Sequence, residues 1–165
     1  IMKILISLWL VFFAASASAQ DFSVDERLID RCVAANPDTP TVCVGQQSRV
    51  CYDDYGGGAD MVLTACFEAE QAYWDKALNR VYQELLVLAK REEDDDYGLQ
   101  ADQLTDAARQ MQRSWIAYRD DTCGLDLARA YPFMSGAGPV LGECLARETA
   151  RQYFQLERIA GSFRK

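Results

Sequence analysis

Apolar residues recur three, four and seven positions apart through most of this chain, and strict alternation is hard to find, so the pattern reads as helix rather than strand. From Ala59 to Lys90, Leu63, Phe67, Trp74, Leu78, Tyr82, Leu85 and Ala89 fall on one stripe, which predicts a helix of about thirty residues. Tyr73, Ala77, Val81 and Leu88 widen the stripe, so this helix is expected to be covered on more than one side. The pattern stops near Arg91, where Glu92, Glu93, Asp94, Asp95 and Asp96, and then Gly98, interrupt it. A second long helix is predicted over 102–127, with Leu104, Ala108, Met111, Trp115 and Tyr118 on one face. A third runs over 139–160, opened by Pro139 in its first turn, with a stripe of Leu141, Leu145, Thr149, Leu156, Ile159 and Phe163. Two shorter helices, near 23–35 and 41–52, precede these. Short connections between long helices favour antiparallel neighbours. The expected fold is therefore all-α: an antiparallel bundle of three long and two short helices.

The first residues read differently. Met2-Lys3 carries one positive charge, Ile4 to Ala15 is an almost unbroken apolar run, and Ala17-Ser18-Ala19 precedes Gln20. This is the pattern of a secretory signal peptide over 1–19, cleaved at an A-x-A site. A membrane anchor is the weaker reading, because a span takes roughly twenty apolar residues. No Cys adjoins the cleavage site, so no lipid is expected there. Residues 20–165 are then expected to form one soluble periplasmic or secreted domain without a membrane anchor.

Composition narrows the chemistry. The 165 residues are 50% hydrophobic and 25% charged, and contain no His. That removes Ser-His and Cys-His catalysis and His-based metal sites. Lys+Arg 17 against Asp+Glu 25, a formal charge of −8, argues against a general nucleic-acid binder, whose affinity comes from neutralising phosphates. Acids are abundant but no two are singled out as an acid–base pair. The expectation is a binding protein rather than an enzyme, with no cofactor.

In an exported chain, Cys32, Cys43, Cys51, Cys66, Cys123 and Cys144 read as disulfides. Breakers lie between neighbours: Pro37 and Pro40 between the first two, Gly56-Gly57-Gly58 between the next, and Pro132 to Pro139 between the last. Each neighbouring pair thus brackets a turn, which favours sequential pairing, with an exchange of partners among the first four as the rival. Zinc is disfavoured because no two Cys lie two to four residues apart.

Asp75, Asn79 and Tyr82 share one helix face, and Trp115, Tyr118, Arg119 and Asp120 cluster on another. Such groups form either a polar pocket or, as favoured here, an interhelical network. In that network Arg119 is neutralised by Asp75 or Asp120, and Asn79 bonds backbone or ring hydroxyls. Two segments are candidates for binding a partner: the acidic run Glu92, Glu93, Asp94, Asp95 and Asp96, for which a solvated loop is the favoured reading, and Tyr131, Phe133 and Met134 on a Gly/Pro-rich loop, which equally fits a cap folded back on the bundle. The run lacks the spacing of a calcium loop, and no metal is expected.

Three segments resemble one family. Cys51-x14-Cys66 followed by Asp75, Leu78, Asn79 and Tyr82 resembles the first half of the LprI-type lysozyme inhibitor N-terminal domain. Gln112 to Cys123, with Trp115, Tyr118, Arg119 and Asp120, resembles its second signature. Cys144 with Thr149, Arg151 and Leu156 resembles its third. The resemblance spans about 51–156 and implies an exported, disulfide-bonded helical domain in which these motif residues are structural. For the namesake it implies inhibition of lysozyme, and the expectation for this acidic chain is a binding protein that occludes a cationic muralytic enzyme. A periplasmic scaffold with a non-lysozyme partner is the alternative. Cys32 and Cys43 form an additional N-terminal segment, and a lipid-attachment Cys is lacking.

Overall fold

A computed structural model describes residues 22–95, 98–131 and 136–164. The signal-peptide reading of 1–19 lies outside the described residues. Helix α1, Glu26–Ala35, opens on Asp25, whose carboxylate accepts the Arg27 N–H at 3.0 Å. It closes at Asn36, whose side-chain amide donates to the Cys32 carbonyl at 2.9 Å. A 3-10 turn, Pro40–Cys43, follows, then α2, Gln46–Asp54. The single helix expected over 41–52 is thus two pieces. Gly45 separates them at φ 82°, a left-handed conformation that glycine adopts without strain.

Helix α3, Asp60–Asp95, runs five residues past its expected end at Lys90. The acids that looked like a loop continue the helix, because Lys90 neutralises Asp94 at 3.2 Å, one turn on. Helix α4, Gln103–Ala130, and α5, Ala137–Phe163, complete the fold. No strand occurs among the described residues, and the architecture is all-α. Contacts fix the directions. Glu93 near the end of α3 meets Leu104 at the start of α4, and Gln112 and Cys123 of α4 meet Gln152 and Cys144 of α5. Consecutive long helices are therefore antiparallel, while α3 and α5 run side by side in the same direction and make the most extensive pairing.

Two apolar clusters hold the helices together. Leu78, Val81, Leu85 and Leu88 of α3 pack with Ala108 of α4 and with Leu156 and Ala160 of α5. Trp74, fully buried, gathers Ile29 of α1 and Ala150 of α5, with the rings of Tyr73, Tyr153 and Phe154 at 4.8 to 5.9 Å from its own. The stripe expected on α5 holds at Thr149 and Leu156, both fully buried, but is displaced in the first turns. Leu141 and Leu145 are only half-buried, whereas Gly142, Ala146 and Ala150, four apart, are buried. A Cβ at Gly142 would lie 2.9 Å from the Phe67 Cβ, so α5 approaches α3 more closely there than a larger side chain permits. On α4 the expected stripe keeps Ala108 buried and packs Met111 and Trp115 against the core, but Thr105 and Gln112 are buried beside it and Tyr118 is exposed. Among the described residues, no helix is long and apolar enough to cross a membrane.

Candidate partner-binding surface

The staples come first because they position everything else. Cys32–Cys43 ties α1 to the 3-10 turn, Cys51–Cys66 ties α2 to α3, and Cys123–Cys144 ties α4 to α5. Pairing is sequential, as the bracketed turns predict, and no free Cys remains.

The acidic run divides by environment. Glu92, Asp94 and Asp95 are exposed on the last turns of α3, and Asp96 lies outside the described residues. Lys90 sits among three carboxylates, Asp94 at 3.2 Å, Asp102 at 3.6 Å and Glu93 at 3.7 Å. Glu93 does not belong to the exposed surface. It is buried and accepts the backbone N–H groups of Leu104 at 2.6 Å and Thr105 at 2.8 Å. It thereby caps α4, whose preceding residue Asp102, at φ 61°, makes no side-chain cap of its own. Burial alone would raise the Glu93 pKa. The N–H groups of Thr105 and Leu104, the Thr105 hydroxyl and Lys90 outweigh it and hold the carboxyl below its ordinary value. Beside this corner lies a groove of about 700 Å³, whose apolar floor is Leu86 and Val87 and whose rim includes Lys90, Asp94, Asp102 and Arg109.

Of the loop aromatics, Tyr131 ends α4 and is 66% exposed, while Phe133 and Met134 lie outside the described residues.

The motif residues separate into unconnected groups. On α3, Asn79 donates to Asp75 at 2.9 Å, both exposed, and so bonds neither backbone nor a ring hydroxyl. Leu78 is core and Tyr82 packs half-buried against it. On α4, Gln112 accepts from Gln152 at 3.2 Å. Arg119 lies 5.0 Å from the Trp115 ring and 2.7 Å from Asp120, so Asp120 rather than Asp75 neutralises it. Tyr118 points out of the bundle. On α5, Arg151 bonds Glu148 at 2.7 Å, and Arg147 bridges Glu148 to Asp126 of α4. Thr149 is fully buried, and its hydroxyl has no hydrogen-bond partner among the described residues.

One polar centre escaped the sequence reading. Glu70, fully buried on α3, accepts from the Gly45 N–H at 2.6 Å, the Ser48 N–H at 2.8 Å, the Ser48 hydroxyl at 2.7 Å and the Trp74 indole N–H at 3.1 Å. A signal existed: Glu70 stands three residues after Phe67 and four before Trp74, a carboxylate on an otherwise apolar stripe. All four donors belong to the fold, so the group holds α2 in place and offers no proton-transfer partner. No cluster of metal-ligating side chains occurs among the described residues.

Buried carboxylates committed to helix ends, interhelical bonds and three staples define a disulfide-bonded helical domain. The profile of the lysozyme inhibitor LprI family matches residues 51–156, and the chain belongs to that family. The matched span begins within α2 and leaves α1 and the Cys32–Cys43 staple outside it. No curated protein and no solved structure matches the chain.

Proposed function

We propose that this chain is an exported, soluble binding protein, freed of residues 1–19 as a leader and folding as one domain over 20–165. It inhibits a basic lysozyme or related muralytic enzyme by occluding its cleft, and carries out no catalysis itself. Membership of the lysozyme inhibitor LprI family is the observation that carries this reading. The formal charge of −8 supports it, because an acidic domain steers a cationic partner and speeds encounter. Glu92, Asp94 and Asp95 at the end of α3 contribute to that steering, and Tyr131 offers an exposed ring.

Turbidity clearing of a peptidoglycan suspension by basic lysozymes of several structural types tests the proposal. Near-stoichiometric inhibition of at least one is expected, while full activity of every one in excess protein overturns the reading in favour of a scaffold for another partner. The substitutions Glu92→Gln, Asp94→Asn and Asp95→Asn together should slow association and flatten its salt dependence, because exposed charges act over about 8 Å at physiological ionic strength.

A further inference from the structure

Helix α4 is fastened to α5 at Gln112, through Gln152, and at Cys123, through Cys144. Between those two residues none is buried, although the stretch carries Trp115, Ile116 and Tyr118. Of the exposed large apolar side chains of the described residues, Tyr118 and Leu125 share one face of α4, while Ile116 lies on another side of it and Tyr131 at its end. Tyr118 is 59% exposed and Leu125 64% exposed. They stand seven apart with Asp121 between them, so all three share one face. That face is turned more than a third of the way round the helix from Gln112 and Cys123, at about 100° per residue. Ser114 beside Tyr118, Ala128 beside Leu125, and Ala117 and Gly124 beside Asp121 are small and exposed, so the two large side chains stand proud of their neighbours.

The charges say what this face fits. Arg119 at its edge is spent on Asp120 and the Trp115 ring. Arg129, one turn beyond Leu125, is tied to Asp126 at 3.8 Å. Asp121, in the centre, is exposed and joins none of the ion pairs found among the described residues. Against a second copy, Asp121 would meet its own like charge on a protein already at −8. Against a basic protein it meets its complement. Aromatic and apolar anchors on a rigid helix, beside an uncommitted carboxylate, are what a preformed protein interface presents.

We infer that the outer face of α4, with Tyr118 and Leu125 as anchors and Asp121 between them, is the surface on which this chain docks a basic protein. The inference rests on the proposed function for the partner's class and deepens it by naming the contact surface. Because all three side chains are exposed, truncating them leaves the core packing untouched.

Surface-based kinetics with the intact protein and an immobilised panel of basic lysozymes decide the matter, with folding of each variant checked by its melting curve. Tyr118→Ala and Leu125→Ala should each speed dissociation tenfold or more, and Asp121→Asn severalfold. Met61→Ala, an exposed apolar position on α3, should leave the rates unchanged. If the parent binds and the Tyr118→Ala, Leu125→Ala double variant binds equally well, the α4 face is overturned while the proposed function stands. If the parent binds no lysozyme, the proposed function fails, and the docking assignment fails with it. Sedimentation adds a third outcome: a parent dimer that Tyr118→Ala dissociates would show a second copy on this face and overturn the assignment to a basic partner.

Discussion

Glu70 caps α2 from across the core, its carboxylate accepting the Ser48 backbone N–H at 2.8 Å and the Ser48 hydroxyl at 2.7 Å. Helix α2 has nine residues and starts after Gly45, which has no side chain with which to cap it. A helix that short does not stand alone in water. The Ser48 N–H, one of its orphan donors, and the preceding Gly45 N–H are therefore satisfied by α3, and the Cys51–Cys66 staple holds the two together.

Replacing this carboxylate should be costly. In Glu70→Gln one accepting oxygen becomes a donor that faces N–H groups, and a buried donor is left unpaired. A loss of about 3 kcal/mol is expected, since hydrogen bonds to a charged group contribute up to about that much. Thermal unfolding would then shift down by about 10 °C for a chain of this size. Ser48→Ala should cost about 1 kcal/mol, and the two losses should be non-additive in a double-mutant cycle. A Glu70→Gln protein melting within about 2 °C of the parent would show that the cap contributes little.

Acidification should release the start of α4. The Glu93 carboxyl is held below its ordinary value, so its contribution to stability is complete above the unfolded Glu pKa of about 4.3. That contribution is lost as pH falls through the lower folded value. Amide-exchange protection at Leu104 and Thr105 should drop over that acid range before protection at Leu78 or Leu156 does. In Glu93→Gln the early drop should disappear, because protection at those two amides is already reduced at neutral pH. Equal protection at Leu104 and Leu78 throughout the acid range would contradict the capping role.

The glycines of α4 and α5 should respond with opposite sign. Gly142→Ala places a Cβ 2.9 Å from the Phe67 Cβ, and overpacking a tight seam costs about 1–3 kcal/mol. Gly124 lies within α4 with nothing within 4 Å of an added Cβ. Gly124→Ala should therefore gain about 0.8 kcal/mol from helix propensity alone. Denaturant midpoints of the two variants give both signs at once. A neutral Gly142→Ala would mean that α3 and α5 can separate there without loss.

Thr149 carries a fully buried hydroxyl without a partner among the described residues. Thr149→Val removes that hydroxyl at almost constant shape and should stabilise the protein by about 1 kcal/mol, the lower end of the cost of an unsatisfied buried group. Destabilisation by a similar amount in urea unfolding would show that the hydroxyl is bonded in solution.

The helices and the staples were legible in the chain because both are local. A spacing of three and four residues reports 3.6 residues per turn wherever it occurs. Each disulfide joins neighbours across a turn whose Pro or Gly residues are visible in the sequence. The family signatures were legible for the same reason, being short runs: the second and third each lie on one helix, and the first joins α2 to α3 across a single turn. The start of α3 and the core residues Phe67, Trp74, Leu78, Val81 and Leu85 follow from that period alone.

Tertiary structure decided which side of each stripe is buried and where the helices stop. On α5 the period fits Leu141 and Leu145 as well as Gly142 and Ala146. Only the close approach of α3 selects the small residues, because two helix backbones at that distance leave no room for a leucine between them. On α4 the same ambiguity, resolved by Gln112 and Cys123 facing α5, turns Tyr118 and Leu125 outward and creates the proposed docking face. The roles of Glu70 and Glu93 depend on helix ends 22 and 11 residues away along the chain, at Ser48 and Leu104. A residue's type states that it can accept hydrogen bonds. Which donors reach it is settled when the chain folds back, and so Glu93, one acid in a run of acids by sequence, became the cap of a helix.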